Sequence, residues 1–376
     1  MNDHERTFVV ALAGLSGMTP ARLRLLLSRH EPAEAYAVAS GAVHDDVVAD
    51  FVREGSTGPQ PRNWMHIWKH ETQSRTPQDC GRQLRAAGIH LVVYGEPAYP
   101  ACLVDDPQPP VTLFFRGSLE ALECRRVGIV GTRSATSTAL RVADDLGRGL
   151  AEHGVAVVSG LARGVDGAAH CGALRVAGVP PVGVVACGLD VVYPREHRVL
   201  WERVGSTGLL LSERPPGATP LAHSFPERNR ILAALSEVLV VVESRATGGS
   251  LITVNEALRR DIVVMAVPGS VASRASEGTN LLLRDGLATP VLDVDDVLIA
   301  LGLDTRRASG RRFDARPTVA PAEQQLLHLI GSDAVTIDEL VLRSAQSLLD
   351  VAASLGRLEA GGHVERSGGW YVAVSG

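Results

Sequence analysis

The chain has 376 residues, 45% of them hydrophobic and 21% charged, with a net charge of −5 and a pI near 6.2. These values belong to a globular chain long enough for a large core plus one or two small domains, and they exclude intrinsic disorder. They also exclude a global basic field, so a nucleic-acid site has to be a local patch.

The five cysteines form no CxxC pair and are odd in number, which argues against a zinc knuckle and a disulfide framework and for a reducing cytoplasm. Positive charge is almost all arginine, Lys69 being the sole lysine. The run FVVALAGL near the start follows Asp3 and Glu5 rather than a basic segment, so it reads as a buried helix and not as a signal peptide. No apolar run approaches the ~20 residues of a membrane span, and a cytoplasmic location with no membrane partner is expected.

Residues 1–70 form the first expected unit. Helical apolar spacing runs on both sides of the turn GLSGMTP, and ARLRLLLSRH continues it. The turn fits a SAM/helix-hairpin-helix-like domain, whose glycine turn can offer backbone N–H groups to phosphate, and fits a helical packing module equally well. REGSTGPQPRN, residues 53–63, reads as a loop.

From about residue 80 to 303 the apolar runs HLVVY, VTLFF, VGIV, VAVV, VGVVA, LLLS, VLVVV and IVVMAV are mostly separated by helical stretches. Continuous apolar strands joined by helices predict a mainly parallel α/β sheet covered on both faces. Ligands of such sheets bind outside the carboxyl ends of the strands. Residues 304–317 are Arg-rich and contain Pro, as a linker would be. Residues 318–374 offer three helices and the hairpin HVER–SGG–WYVAV, the outline of a C-terminal winged helix.

Each strand end is therefore a candidate position for chemistry. After VGIV comes GTRSATS, where Gly131 permits a tight turn and Arg133 beside a helix start makes an anion site. SGLARGVDGAAH follows VAVV, with Ser159 and Gly160 as a small-residue turn. Asp166 and His170, at i and i+4, lack the further ligands a metal needs, and a helix-end contact is preferred. CGLDVVYPREHRVL brings Arg195, and Tyr193 beside it reads as core before stacking platform. SFPERNR sets Arg228, Asn229 and Arg230 in front of an apolar helix, and ESRATGGSLIT opens a later helix with Gly249 and Ser250. Small-residue turns that supply N–H groups, with arginines along one sheet edge, suit a row of phosphates. Structural roles remain the alternative for Arg228 and Arg230, with Glu213 or Glu243 as the partner of the latter. No GxxxxGK[ST], GxGxxG, HExxH or GxSxG occurs at a strand end, so neither nucleotide hydrolysis, NAD binding nor any other cofactor is expected. With aromatic residues at 4%, base stacking is expected to contribute little.

The succession VGIVGTRSAT, VSGLARGVDGAAH, CGLDVVYP, LLSE, FPERNRILAALS, VVVESRATGGSLIT, VPG and EGTNLLLRDG, over residues 125–290, resembles the DNA-processing protein A (DprA/Smf) family. The resemblance implies a Rossmann-like core without a nucleotide cofactor, no enzymatic turnover, binding of single-stranded DNA, a homodimer formed through the core, and loading of RecA during recombination and natural transformation. By motif position it assigns Arg133, Arg195, Arg228 and Arg230 to the strand groove, and Ser159, Gly160 and Gly249 to close backbone approach. Ser137-Thr138 stands where the family usually has Tyr-Gly, Arg195 where it often has lysine, and Gly286-Leu287 where Gly-Ala is common. A second reading comes from another class. GGSLITVNE resembles the Gly-rich loop of phosphoribohydrolase-like Rossmann enzymes, with Glu256 at the spacing of the carboxylate that works on the ribose, but Leu251 and Ile252 replace its glycine and neighbour.

Overall fold

The computed structural model describes residues 1–54, 62–303, 319–330 and 334–374, so the linker expected over 304–317 lies outside the described residues. Two compact units result, Met1–Thr305 and Arg306–Gly376.

The first unit opens with six helices: α1 (Asp3–Ala13), α2 (Pro20–Arg29), α3 (Pro32–Ala39), α4 (Asp46–Glu54), α5 (Trp64–Ser74) and α6 (Pro77–Ala86). Their starts are chemically specified. Asn2 and Glu5 form a capping box on α1, Thr19 and Thr76 cap α2 and α6, and proline holds the first turn of α2, α3 and α6. Leu12, Leu26, Val38, Val48 and Trp68 close a core of their own, while Val9 and Val10 of α1 join Cys80 and Leu84 of α6 in the core beneath the following sheet. In the α1–α2 turn Gly17 holds φ +66 and lies flat on the Trp64 ring, leaving no room for a Cβ. The Ser16 amide of that turn donates to the Glu71 carboxylate at 2.8 Å. A carboxylate thus sits where a turn of this kind could have offered an N–H to phosphate.

The α/β body continues with β1 (His90–Val93), β2 (Thr112–Gly117), β3 (Arg125–Val130), α7 (Ser137–Glu152), β4 (Val155–Ser159), α8 (Val165–Ala173), β5 (Val182–Val184), α9 (Arg198–Thr207), β6 (Leu209–Ser212), α10 (Ser224–Leu235), β7 (Val238–Val241), α11 (Ser250–Leu258), β8 (Val263–Ala266), α12 (Glu277–Arg284), β9 (Thr289–Pro290) and α13 (Val294–Ala300). The strands form one sheet in the order β1-β2-β6-β5-β4-β3-β7-β8-β9. From β6 to β9 every pairing is parallel; β1–β2 and β2–β6 are antiparallel. Two apolar cores cover its faces, one around Val158, Ile231 and Leu239, the other around Ile129, Leu150 and Val240, which is why the strands read as unbroken apolar runs.

Two features prepare the functional edge. The chain builds outward from β3 through β4, β5 and β6 and then returns to add β7 on the other side of β3, so the topological switch point lies between β3 and β7. On one face α7 and α8 pack with backbone almost touching: a Cβ on Gly147 or Gly172 would run into the carbonyl groups of Ala169 and Asp144, respectively.

The second unit is a winged helix: α14 (Pro321–Ile330), β10 (Val335–Thr336), α15 (Ile337–Ser344), α16 (Leu348–Ala360), β11 (Val364–Ser367) and β12 (Trp370–Ala373). Its strands order as β10-β12-β11, and Leu326, Leu340, Leu355 and Tyr371 fill its core.

Candidate nucleic-acid interface

At the carboxyl ends of β3 and β7 the sheet opens into a cleft of about 500 Å³. Its walls come from three segments the sequence placed apart: Gly131–Arg133 after β3, Phe225–Asn229 on α10, and Arg245–Ser250 running into α11. A smaller neighbouring pocket shares Arg133, Phe225 and Arg228, and is completed by Gly160, Arg163, Cys187 and Tyr193 at the ends of β4 and β5.

The Gly131–Thr136 loop is held from behind. Glu243, buried at the end of β7, accepts from the Thr136 amide at 3.1 Å and from its hydroxyl at 2.6 Å, and the Glu243 carbonyl accepts from the Thr132 amide at 2.8 Å. Thr136 in turn caps α7. Gly131 has Val165 and the Glu243 carbonyl against its missing Cβ, so no larger residue fits at this turn. The loop is thereby fixed while the Arg133 side chain stays exposed, its guanidinium 4.7 Å above the Phe225 ring. Tyr193, 37% exposed, meets the same ring at 5.6 Å. Gly249 precedes α11 with nothing within 4 Å of a Cβ position, so the start of that helix is open to a ligand.

The three residues Arg228, Asn229 and Arg230 lie within α10, not ahead of it, because the helix starts at Ser224. Their side chains consequently fan apart. Arg228 is 8% exposed and points under the sheet edge, donating to the Gly160 carbonyl at 2.9 Å and to the Val184 carbonyl. Burial lowers its pKa, while the nearby Asp166 carboxyl counteracts that shift; burial raises the pKa of Asp166, which also accepts from the Gly160 amide. Asn229 remains on the cleft wall. Arg230 faces the other way, paired with Glu213 at 2.5 Å and with the Gln108 carbonyl at 2.6 Å.

Of the residues singled out by sequence, the cleft and its neighbour bring together Gly131, Arg133, Gly160, Arg228, Asn229, Gly249 and Ser250. Ser250 is buried and bonded to Ser244. Ser159 is fully buried, its hydroxyl donating to the Ile129 carbonyl at 2.6 Å, and it lines neither pocket. Arg195 is exposed just beyond Pro194 without lining either one, and Arg230 lines a separate pocket. Sequence reasoning overlooked Phe225, Arg163 and Arg245, although FPER, GLARG and SRATGG held the signal: an aromatic at a helix start and two arginines at strand ends. Asp166 and His170 stand apart from any group of three or more metal-ligating side chains among the described residues. Glu256 is tied to Arg259 at 2.9 Å and to Arg260 at 2.6 Å, and is absent from the cleft wall.

The chain matches the family described as DNA recombination-mediator protein A over residues 90–302, and the DprA winged helix domain over residues 314–369. It is 32% identical over 408 aligned residues to protein Smf of Synechocystis, covering 98% of both chains. Among solved structures it is similar to DNA processing protein A of Streptococcus pneumoniae, with 28% identity, a TM-score of 0.63, and coverage of 80% of this chain and 98% of that one. It is also similar to DNA processing protein A from Helicobacter pylori, whose structure concerns a single-stranded DNA binding mode, with 29% identity, a TM-score of 0.51, and coverage of 57% and 97%.

Proposed function

The chain belongs to the DNA recombination-mediator protein A family, and from that premise we propose that it binds single-stranded DNA at the β3–β7 cleft and acts as a recombination mediator, not as an enzyme. The observation that carries the reading is the Arg133–Phe225–Tyr193 platform beside the open start of α11. Exposed guanidinium groups at 133, 163, 195 and 245 supply phosphate contacts, and the adjoining Tyr193 and Phe225 rings supply a base-independent surface. Gly131 lines the cleft, Gly249 lets the backbone approach the strand, and Asn229 offers it an amide. Arg228 shapes the floor, holding Gly160 from below. The Helicobacter pylori relative's single-stranded DNA binding mode supports the same ligand class.

The phosphoribohydrolase-like alternative needs a carboxylate free to work on a ribose. Glu256 is bound to two arginines outside the cleft, which favours the binding reading. Delivery of RecA to the bound strand, a homodimer formed through the α/β core, and a cytoplasmic setting complete the proposal. So does a division into a helical domain (1–70), the core (80–303), the linker (304–317) and the winged helix (318–374). The winged helix carries Arg343, Arg357 and Arg366 against Glu323, Asp338, Glu339, Asp350, Glu359 and Glu365, a charge balance suited to partner contact more than to phosphate.

The test is the salt dependence of oligonucleotide affinity. Each phosphate-binding arginine changed to alanine should reduce the slope of log affinity against log salt by about 0.7, the single-strand value. Arg133→Ala, Arg195→Ala and Arg245→Ala are expected to behave so without a change in melting temperature. Equal affinity for single-stranded and duplex oligonucleotides, or unchanged slopes in all three variants, would overturn the reading.

A further inference from the structure

Arginines follow the strands in the order in which the sheet lays them out. Arg195 comes after β5, Arg133 after β3, Arg245 after β7 and Arg274 after β8, and these strands lie in the sheet as β5-β4-β3-β7-β8. All four are exposed, and among the described residues none of them holds an acid. Arg148, Arg175, Arg259 and Arg284, also exposed on this unit, pair with Asp145, Asp144, Glu256 and Asp285. Acids are therefore available in a chain of net charge −5, yet the carboxyl edge of the sheet keeps its guanidinium groups unpaired. Such an edge is left for an anion from outside.

Three of these arginines belong to the site already described; Arg274 does not. Its loop between β8 and α12 is built to hold one shape. The Asn280 side chain closes it, accepting from the Gly269 amide and donating to the Gly269 carbonyl, both at 3.1 Å. Within it the Ser273 amide donates to the Ser270 carbonyl at 3.0 Å, and the Ser276 amide to that of Ser273 at 3.2 Å. The Gly278 amide donates to the Ser244 carbonyl at 2.7 Å, and a Cβ on Gly278 would strike the carbonyl oxygens of Ser244 and Arg245. The start of α12 thus abuts the same Arg245–Ser250 segment that walls the cleft. Val271 in the loop is 97% exposed, so hydrogen bonds fix this part of the chain, not burial of its apolar side chain.

Resting on the cleft reading above, we propose that the bound strand continues past the Arg245–Ser250 segment onto the β8–α12 loop, where Arg274 takes a further phosphate. The site then has a definite length. From β5 to β8 the strand ends span four steps of about 4.8 Å, roughly 19 Å, which a strand with the 3.4 Å rise of a duplex covers in about six nucleotides. A strand too short for that span fills the cleft alone, and a longer one gains Arg274. The added contact strengthens binding without reading bases, because it meets phosphate.

The experiment measures affinities of the full chain for a deoxythymidine trimer and dodecamer across a salt series. On the dodecamer, Arg274→Ala should lower the slope of log affinity against log salt by about 0.7, so its deficit relative to wild type should shrink about 2.5-fold between 50 and 200 mM salt. On the trimer the two proteins should bind alike. Arg284→Ala removes the same charge about 10 Å farther along α12 and should leave the dodecamer slope unchanged. Equal deficits of Arg274→Ala on trimer and dodecamer, or an equal loss of slope in Arg284→Ala, overturn the proposal, because the charge then acts without a contact beyond the cleft. A dodecamer slope that falls in Arg133→Ala but not in Arg274→Ala overturns it while leaving the cleft in place. Slopes unchanged in both overturn the cleft reading itself, and this proposal with it.

Discussion

Replacing Arg228 by methionine separates structural from ligand-binding arginines. The side chain is 8% exposed, and its guanidinium satisfies the carbonyls of Gly160 and Val184 at the ends of β4 and β5. It also faces the buried Asp166 carboxyl. Methionine fills similar volume but leaves two carbonyls without a donor, at about 1–3 kcal/mol each, and Asp166 without its counter-charge. Removing one partner of a buried charged pair costs about 3–5 kcal/mol. Asp166 can relieve part of this by taking up a proton, so the total should settle near the lower end of the sum, at about 5 kcal/mol. At roughly 2 °C per kcal/mol for a unit of this size, melting should fall by about 10 °C. Thermal unfolding followed by circular dichroism measures the drop, and the salt slope of oligonucleotide binding measured well below the midpoint should match that of wild type. A variant that melts like wild type but has lost about 0.7 from its salt slope would show that Arg228 meets phosphate, and would refute the burial argument.

Phe225→Ala should cost about 1–3 kcal/mol of affinity, similar on every base, because ring stacking is sequence-tolerant; anisotropy titrations with mixed-sequence strands check this, and an unchanged Kd removes the platform. Burial pushes the His170 imidazole down to about 4. Above its ordinary value of about 6.5 both folded and unfolded chains hold it neutral, and as pH falls toward 4 only the unfolded chain gains the proton. Stability should therefore drop across that window and level off below it, and His170→Leu should flatten this part of a urea-midpoint profile. Gly172→Ala drives a methyl into the Asp144 carbonyl and should destabilise the first unit by about 1–3 kcal/mol, measured by denaturant unfolding, whereas Gly356→Ala, with open space around it, should leave its own unit no less stable.

The eight apolar runs were legible because a parallel sheet buried on both faces demands uninterrupted β-branched and aliphatic residues, and each run appears as a strand. The winged helix was legible for a related reason: the Gly368–Gly369 turn, with positive φ at both residues, separates two short alternating strands. Side-chain direction on α10 was not. Adjacent residues on a helix diverge by about 100°, so Arg228 and Arg230 could not share a face once the helix began at Ser224. Which of them was buried depended on the ends of β4 and β5, 44 to 68 residues away. Low aromatic content likewise gave no sign of where the Tyr193–Phe225 pair would sit. Composition counts rings but does not locate them, and two of the five tyrosines and six phenylalanines meet at one sheet edge.

The clamp that Glu243 places on the Gly131–Thr136 loop bears on how quickly a strand is captured. A loop already fixed by three hydrogen bonds to one buried residue has no ordering step left to complete when a polyanion arrives. Association should then be paced by diffusion and by the attraction between exposed guanidinium groups and phosphates, with rate constants that fall as ionic strength rises. Loosening the clamp by Glu243→Gln would insert a conformational step, visible in stopped-flow mixing as a rate that stops climbing with strand concentration.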